Sequence, residues 1–281
     1  MNLTEVWRQG WTGGWTSLVP LQLNGQVYLL SYKAQSGEAA LDHFKPDGSY
    51  AEVWRQGWTG GWTSLVPLQL NGQVYLLSYK AQSGEAALDH FKPDGSYAEV
   101  WRQGWTGGWT SLVPLQLNGQ VYLLSYKAQS GEAALDHFKP DGSYAEVWRQ
   151  GWTGGWTSLV PLQLNGQVYL LSYKAQSGEA ALDHFQPDGS YAEVWRQGWT
   201  GGWTSLVPLQ LNGQVYLLSY KAQSGEAALD HFKPDGSYAE VWRQGWTGGW
   251  TSLVPLQLNG QVYLLSYKAQ SGEAALDRLD T

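Results

Sequence analysis

The chain contains no cysteine, one methionine and five phenylalanines among 281 residues. Without thiols there is no disulfide framework and no thiolate metal site, and neither redox compartment is excluded. Positive charge is also short: 17 Lys and Arg stand against 24 Asp and Glu, a formal net charge of −7. That balance is spread evenly along the chain and provides no basic patch, so no nucleic-acid partner is expected. No apolar run approaches the ~18 residues of a membrane-spanning helix, so no membrane insertion is expected. Met1-Asn2-Leu3 has neither the charged start nor the apolar run of a secretory leader, which makes the cytoplasm the default location.

What the chain has instead is repetition. The segment Glu5-Val6-Trp7-Arg8-Gln9-Gly10-Trp11-Thr12-Gly13-Gly14-Trp15 recurs from Glu52, Glu99, Glu146, Glu193 and Glu240, six copies at a step of 47 residues. Inside the array, Gln186 replaces the lysine found at Lys45, Lys92, Lys139 and Lys233, and the two ends diverge. Near-identity over six copies means recent amplification or deliberate construction, and the sequence leaves both open. A period of this length is the mark of propellers, solenoids and related arrays. Eighteen Trp, 17 Tyr and 35 Gly suit many short strands joined by tight turns.

Four strands are expected per repeat. Thr16 to Leu23 is apolar at Leu18, Val19, Leu21 and Leu23, as in a strand buried on both faces. Asn24-Gly25 is a strong hairpin signal, because both residues tolerate positive φ. Gln26 to Lys33 follows, then a turn at Ala34-Gln35-Ser36-Gly37, then Glu38 to Phe44. Lys45-Pro46-Asp47-Gly48 has type I turn chemistry. Ser49 to Gln56 completes the set and, by simple alternation, puts Tyr50, Glu52 and Trp54 on one face.

Four hairpin-linked strands make a propeller blade. The chain starts on a fourth strand, Leu3 to Trp7, and ends on a third, Ala275 to Leu279. The first strand can therefore complete the last blade and remove an exposed sheet edge. The expected architecture is an all-β, six-bladed propeller of four-stranded antiparallel blades, forming one toroidal domain over residues 1–281, with repeats starting near 5, 52, 99, 146, 193 and 240. Two β-trefoils are the alternative, disfavoured because no linker separates the third repeat from the fourth. A solenoid would need distinct polar capping repeats. A closed propeller is expected to be monomeric.

At Gly13-Gly14-Trp15, followed by Leu18, Leu21 and Leu23 and then Asn24-Gly25-Gln26-Val27-Tyr28, the repeat resembles the lectin propellers. It is most similar to the five-bladed tachylectin family. Tyr32 to Trp54, with its Asp47-Gly48 turn, also resembles fucose-binding and other bacterial lectin propellers. The resemblance implies sugar or glycoconjugate binding between adjacent blades, once per blade. The Arg and Glu pair of the fucose binders is not placed by it, so the particular sugar stays open.

The residues themselves nominate Arg8, Trp11 and Trp15 for such a site. Trp stacks on the apolar face of a sugar while Arg bonds its hydroxyls. The counterparts are Arg55, Trp58 and Trp62; Arg102, Trp105 and Trp109; Arg149, Trp152 and Trp156; Arg196, Trp199 and Trp203; and Arg243, Trp246 and Trp250. Packing between blades is the competing role for Trp7 and Trp15, and aromatic stacking for Arg8; Trp11 fits either. Identical repeats build identical sites, which favours multivalent binding over an active site that gathers unlike residues. A symmetric scaffold without a ligand is the alternative.

Catalytic and metal chemistry find little support at this level. Asp42 and His43 are neighbours on a strand and point to opposite faces. Glu38 and Glu52 have no acidic partner at a spacing that would shift a pKa for hydrolysis. Asp47-Gly48 offers too few oxygens for calcium. Gly10-Trp11-Thr12-Gly13-Gly14 lacks the lysine and the helix of a phosphate loop. No enzyme activity, cofactor or metal is expected from these residues.

Overall fold

Proline inside a strand is tolerated only where no ladder hydrogen bond is needed. Pro20 sits in such a place: its strand, Ser17–Leu23, is at the edge of a four-stranded antiparallel sheet continued by Gln26–Tyr32, Glu38–Phe44 and Tyr50–Gly57. The computed structural model describes residues 2–280. Each repeat forms the same sheet, and no helix occurs among the described residues. The protein is an all-β, six-bladed propeller with four-stranded antiparallel blades.

The turns follow from their residues. Asn24 and Gly25 both have positive φ, 50° and 76°, as a two-residue hairpin matched to strand twist requires. Thr16 and Lys33 fall just outside their strands, while Gly57 extends the fourth. The first strand of the chain, Asn2–Gly10, pairs antiparallel with Glu273–Asp280, with Leu3 opposite Leu279 and Glu5 opposite Asp277. It thus supplies the fourth strand of the last sheet.

Two compact units are present, Met1–Gly108 with Trp250–Thr281, and Trp109–Gly249. Each contains three blades. Within each, burial falls from the middle strands to the fourth. Val27 to Tyr32 is buried throughout, whereas most of Tyr50–Gly57 is exposed. In the first unit, Leu30 and Leu41 pack against Val74, Leu76 and Phe91 of the following blade. In the second, Leu171 and Leu182 pack in the same way against Leu217 and Phe232. Each such fully buried leucine contributes ~2–3 kcal/mol of transfer free energy.

The fourth strand departs from simple alternation. Leu41 pairs with Trp54, but the next residue, Asp42, pairs with Glu52, so Val53 is the extra residue of a β-bulge. Val53 is left 42% exposed. Because Leu41 and Asp42 point to opposite faces, so do their partners Trp54 and Glu52. The expectation that Tyr50, Glu52 and Trp54 share a face is corrected by this bulge: Tyr50 and Glu52 point one way and Trp54 the other.

Candidate active site

The bulge makes the site. Directly opposed residues on one face of a sheet hold their Cβ atoms ~4.5–5.5 Å apart. Asp42 opposite Glu52 is therefore a carboxylate pair, and Asp89–Glu99, Asp183–Glu193 and Asp230–Glu240 repeat it. Asp42 is only 9% exposed, and no hydrogen bond or ion pair reaches its carboxylate among the described residues. Burial, reinforced by the Glu52 charge and opposed by Arg55, pushes its pKa up to about 6. Asp89, Asp183 and Asp230 are raised to about 6 for the same reasons. The expectation that Glu52 lacks an acidic partner is corrected by the pairing with Asp42, which comes across strands rather than by spacing along the chain.

Facing each pair, inside the same unit, is an aromatic wall from the preceding blade. Trp54 and Trp58 lie 5.9 Å apart by ring centroids, and Tyr97 lies 5.8 Å from Trp54 and 5.4 Å from Trp58, edge-on to the latter. Trp54 Nε1 donates to the Gly95 carbonyl at 2.9 Å, and Gln56 Nε2 donates to Tyr97 Oη at 2.8 Å. Trp58 Nε1 is buried without a hydrogen-bond partner, as are Trp11, Trp152 and Trp199 Nε1 at the equivalent places. Burial raises the Tyr97 phenol pKa, the Trp58 indole pulls it back, and Asp89 raises it further. The resulting cavity measures about 290 Å³ and includes Trp58, Trp62, Asp89, Tyr97, Glu99 and Arg102 in its wall. Its counterpart in the second unit is larger, about 600 Å³, with Trp199, Trp203, Asp230, Tyr238, Glu240 and Arg243 in the same roles.

The residues nominated for sugar binding divide by position. Trp11 and its counterparts are half-buried, and Trp58 and Trp199 line the cavities. Trp15 is 3% exposed, with Lys33 Nζ 4.7 Å and Arg55 Cζ 5.3 Å from its ring centroid. Trp62 is likewise covered by Lys80 and Arg102, and Trp156 by Lys174 and Arg196. Trp15 and Trp62, each 3% exposed, thus pack against the protein's own cations. The arginines are engaged too: Arg102 bonds Glu99 at 2.7 Å and Glu85 at 2.6 Å, and Lys80 holds Glu85 at 2.7 Å. Arg8 reaches Glu5 at 2.8 Å and Glu273 at 2.6 Å. These charge-assisted bonds keep the guanidinium protonated and the Glu85 carboxyl below its ordinary range.

Other reactive groups are accounted for by local structure. His43 stacks on Tyr28, with centroids 4.8 Å apart. Asp47 accepts from Ser49 N at 2.9 Å and Ser49 Oγ at 2.7 Å, an Asx turn. A cavity of about 310 Å³ in the first unit is walled by Pro20, Gln22, Pro67, Gln69, Pro255, Gln257 and apolar residues, none of which titrates. No group of three or more potential metal ligands occurs among the described residues.

Four-stranded blades in a propeller are shared with solved structures of very different sequence. A protein of Bacteroides fragilis, assigned provisionally as a 6-phosphogluconolactonase, is 13% identical with a TM-score of 0.60, covering 94% of this chain and 82% of its own. The periplasmic gluconolactonase of Pseudomonas aeruginosa is 15% identical with a TM-score of 0.54, covering 91% and 81%. A protein of unknown function from Desulfotomaculum acetoxidans is 8% identical with a TM-score of 0.58, covering 96% and 83%. No protein-family model and no curated protein sequence matches the chain. At such identities the likeness shows the fold alone. It nonetheless corrects the tachylectin resemblance and the non-catalytic, sugar-binding reading drawn from it: the neighbours that carry an activity in their names are lactonases, not lectins. The alternative of a scaffold without a ligand is likewise left without support.

Proposed function

We propose that the chain is a hydrolase of ring esters, a lactonase, with its chemistry at the blade junctions. The observation that carries this reading is the buried carboxylate pair, in which Asp89 has a pKa of about 6 beside Glu99 in an open cavity. A base poised near the working pH is what activation of water requires. The ionised Asp89 takes a proton from water as the water oxygen bonds to the lactone carbonyl carbon. The ring C–O bond then breaks, and the proton passes to the leaving alkoxide, so that lactone and water give a hydroxy acid. Tyr97 Oη accepts from Gln56, which leaves its own proton to donate to the developing oxyanion. The lactonase names of two structural neighbours support the same class.

The charges argue against a phosphorylated substrate. Arg102 and Lys80 are matched by Glu99 and Glu85, which leaves the Asp89 charge over and no free cation to receive a phosphate. The test is proton release from glucono-δ-lactone and unsubstituted δ- and γ-lactones, corrected for spontaneous hydrolysis. A variant with Asn at Asp42, Asp89, Asp136, Asp183, Asp230 and Asp277 should lose the enhancement by 100-fold or more. Absence of any enhancement by the native chain, or its survival in that variant, refutes the proposal.

A further inference from the structure

The same cavities combine two features that hydrolysis does not demand together: aromatic walls on one side and an uncompensated carboxylate on the other. We infer that they bind organic ammonium groups, such as the trimethylammonium head of a choline-like compound. This goes beyond the hydrolase reading and does not depend on it.

In the first unit, Trp7, Trp11 and Tyr50 stand mutually 5.5–5.9 Å apart. On the same face as Tyr50 its sheet carries Asp42 and Glu52. Asp42 is nine-tenths buried and unpartnered. In the second unit, Trp195, Trp199 and Tyr238 line one cavity together with Asp230 and Glu240. A buried carboxylate without a donor is unfavourable until a proton or a cation reaches it. A metal ion would need more oxygen ligands than this pair offers. An alkylated ammonium needs none: its spread charge is held by ring faces and by one carboxylate at contact distance. Guanidinium and ammonium groups of the protein do not fill this role, since Arg243 is held by Glu226 and Glu240, and Lys221 by Glu226.

The experiment compares choline with 3,3-dimethylbutan-1-ol, its uncharged isostere, by tryptophan fluorescence and calorimetry on the full chain at pH 7.5 and constant ionic strength. Choline should bind saturably and at least ten-fold more tightly than the alcohol. Its affinity should fall at least ten-fold at pH 4.5, where Asp42, Asp89, Asp183 and Asp230 take up protons beside Glu52, Glu99, Glu193 and Glu240 while the neighbouring arginines keep their charge. Asn at the six aspartates should remove the preference for choline and leave the alcohol unchanged. Equal binding of the two compounds, no binding of either, or choline binding that does not respond to pH overturns the inference. If that variant fails to fold, the pH series on the native chain decides. Lactone turnover is not measured, so failure here leaves the hydrolase reading to its own test.

Discussion

Replacing Asp89 by Asn should make the protein more stable at alkaline pH and leave it unchanged at acid pH. The carboxyl is raised from its ordinary 3.8 to about 6, chiefly by burial and then by Glu99. A native pKa above the unfolded one means that the folded chain holds the proton more tightly. The favourable contribution is fully present below about pH 4 and is lost as pH rises through about 6. At roughly 1.4 kcal/mol per pKa unit, the charged form costs about 3 kcal/mol as an upper bound. Asp89 keeps some contact with solvent, and screening reduces this to about 1 kcal/mol.

Asn has nearly the same shape and no charge to desolvate. At pH 8 Asp89→Asn should therefore gain about 1 kcal/mol, some 2–4 °C in Tm for a chain of this size, and at pH 4 it should gain nothing. Thermal unfolding followed by tryptophan fluorescence, native against variant at both pH values, isolates the term, because every other titrating group is common to the two. A loss of stability at pH 8, or the same difference at both pH values, would show that Asp89 is not a buried charge seeking a proton. A gain at pH 8 in Asp89→Asn, together with lost turnover when all six aspartates are replaced, would be the signature of a group kept for function at the expense of stability.

Two further substitutions test the frame that holds the site. Gly37 has φ +75°, and an added Cβ would lie 2.0 Å from the Trp58 carbonyl oxygen, so Gly37→Ala should cost about 3 kcal/mol or more in urea unfolding. Gly25, at φ +76° with open space around it, is the control and should lose only about 1 kcal/mol as Ala. Trp62→Ala empties a position that is 3% exposed and frees Lys80 and Arg102, and should cost about 3–5 kcal/mol by the same assay.

The blade was legible in the sequence because its signals are local. Asn24-Gly25, Pro46-Asp47-Gly48 and the apolar run from Leu18 to Leu23 each dictate backbone conformation within a few residues, and the strands they bound fall where expected. The carboxylate pair was not legible, because Asp42 and Glu52 meet only through a bulge at Val53. One signal was available: a valine between Glu52 and Trp54 breaks the polar–apolar alternation of an outer strand, and an apolar residue left out of step there marks a bulge. The fate of Trp15 was hidden for a similar reason. Lys33, Arg55 and Glu38 are scattered along the chain and become a ladder over the indole only when three strands align.

The geometry also explains why a repeat of this kind can build a site that no single copy contains. Each blade carries two unlike faces. The Trp54 and Trp58 side contributes aromatic rings to the following blade, and the Asp42, Tyr50 and Glu52 side receives rings from the preceding one. Head-to-tail stacking of identical units joins unlike halves, which is how a symmetric chain acquires an asymmetric pocket. The bulge at Val53 is what separates the halves, since without it Glu52 and Trp54 would lie on one face and the acid would be spent against its own indole. The copy at the chain ends departs from this pattern: the position of Tyr50 is taken by Leu3, opposite Leu279, so the Asp277–Glu5 pair lacks the phenol that Tyr50 supplies beside Asp42 and Glu52. If a tyrosine proton serves the developing oxyanion, that copy is the one whose chemistry is incomplete, and identity of repeats does not extend to equality of sites.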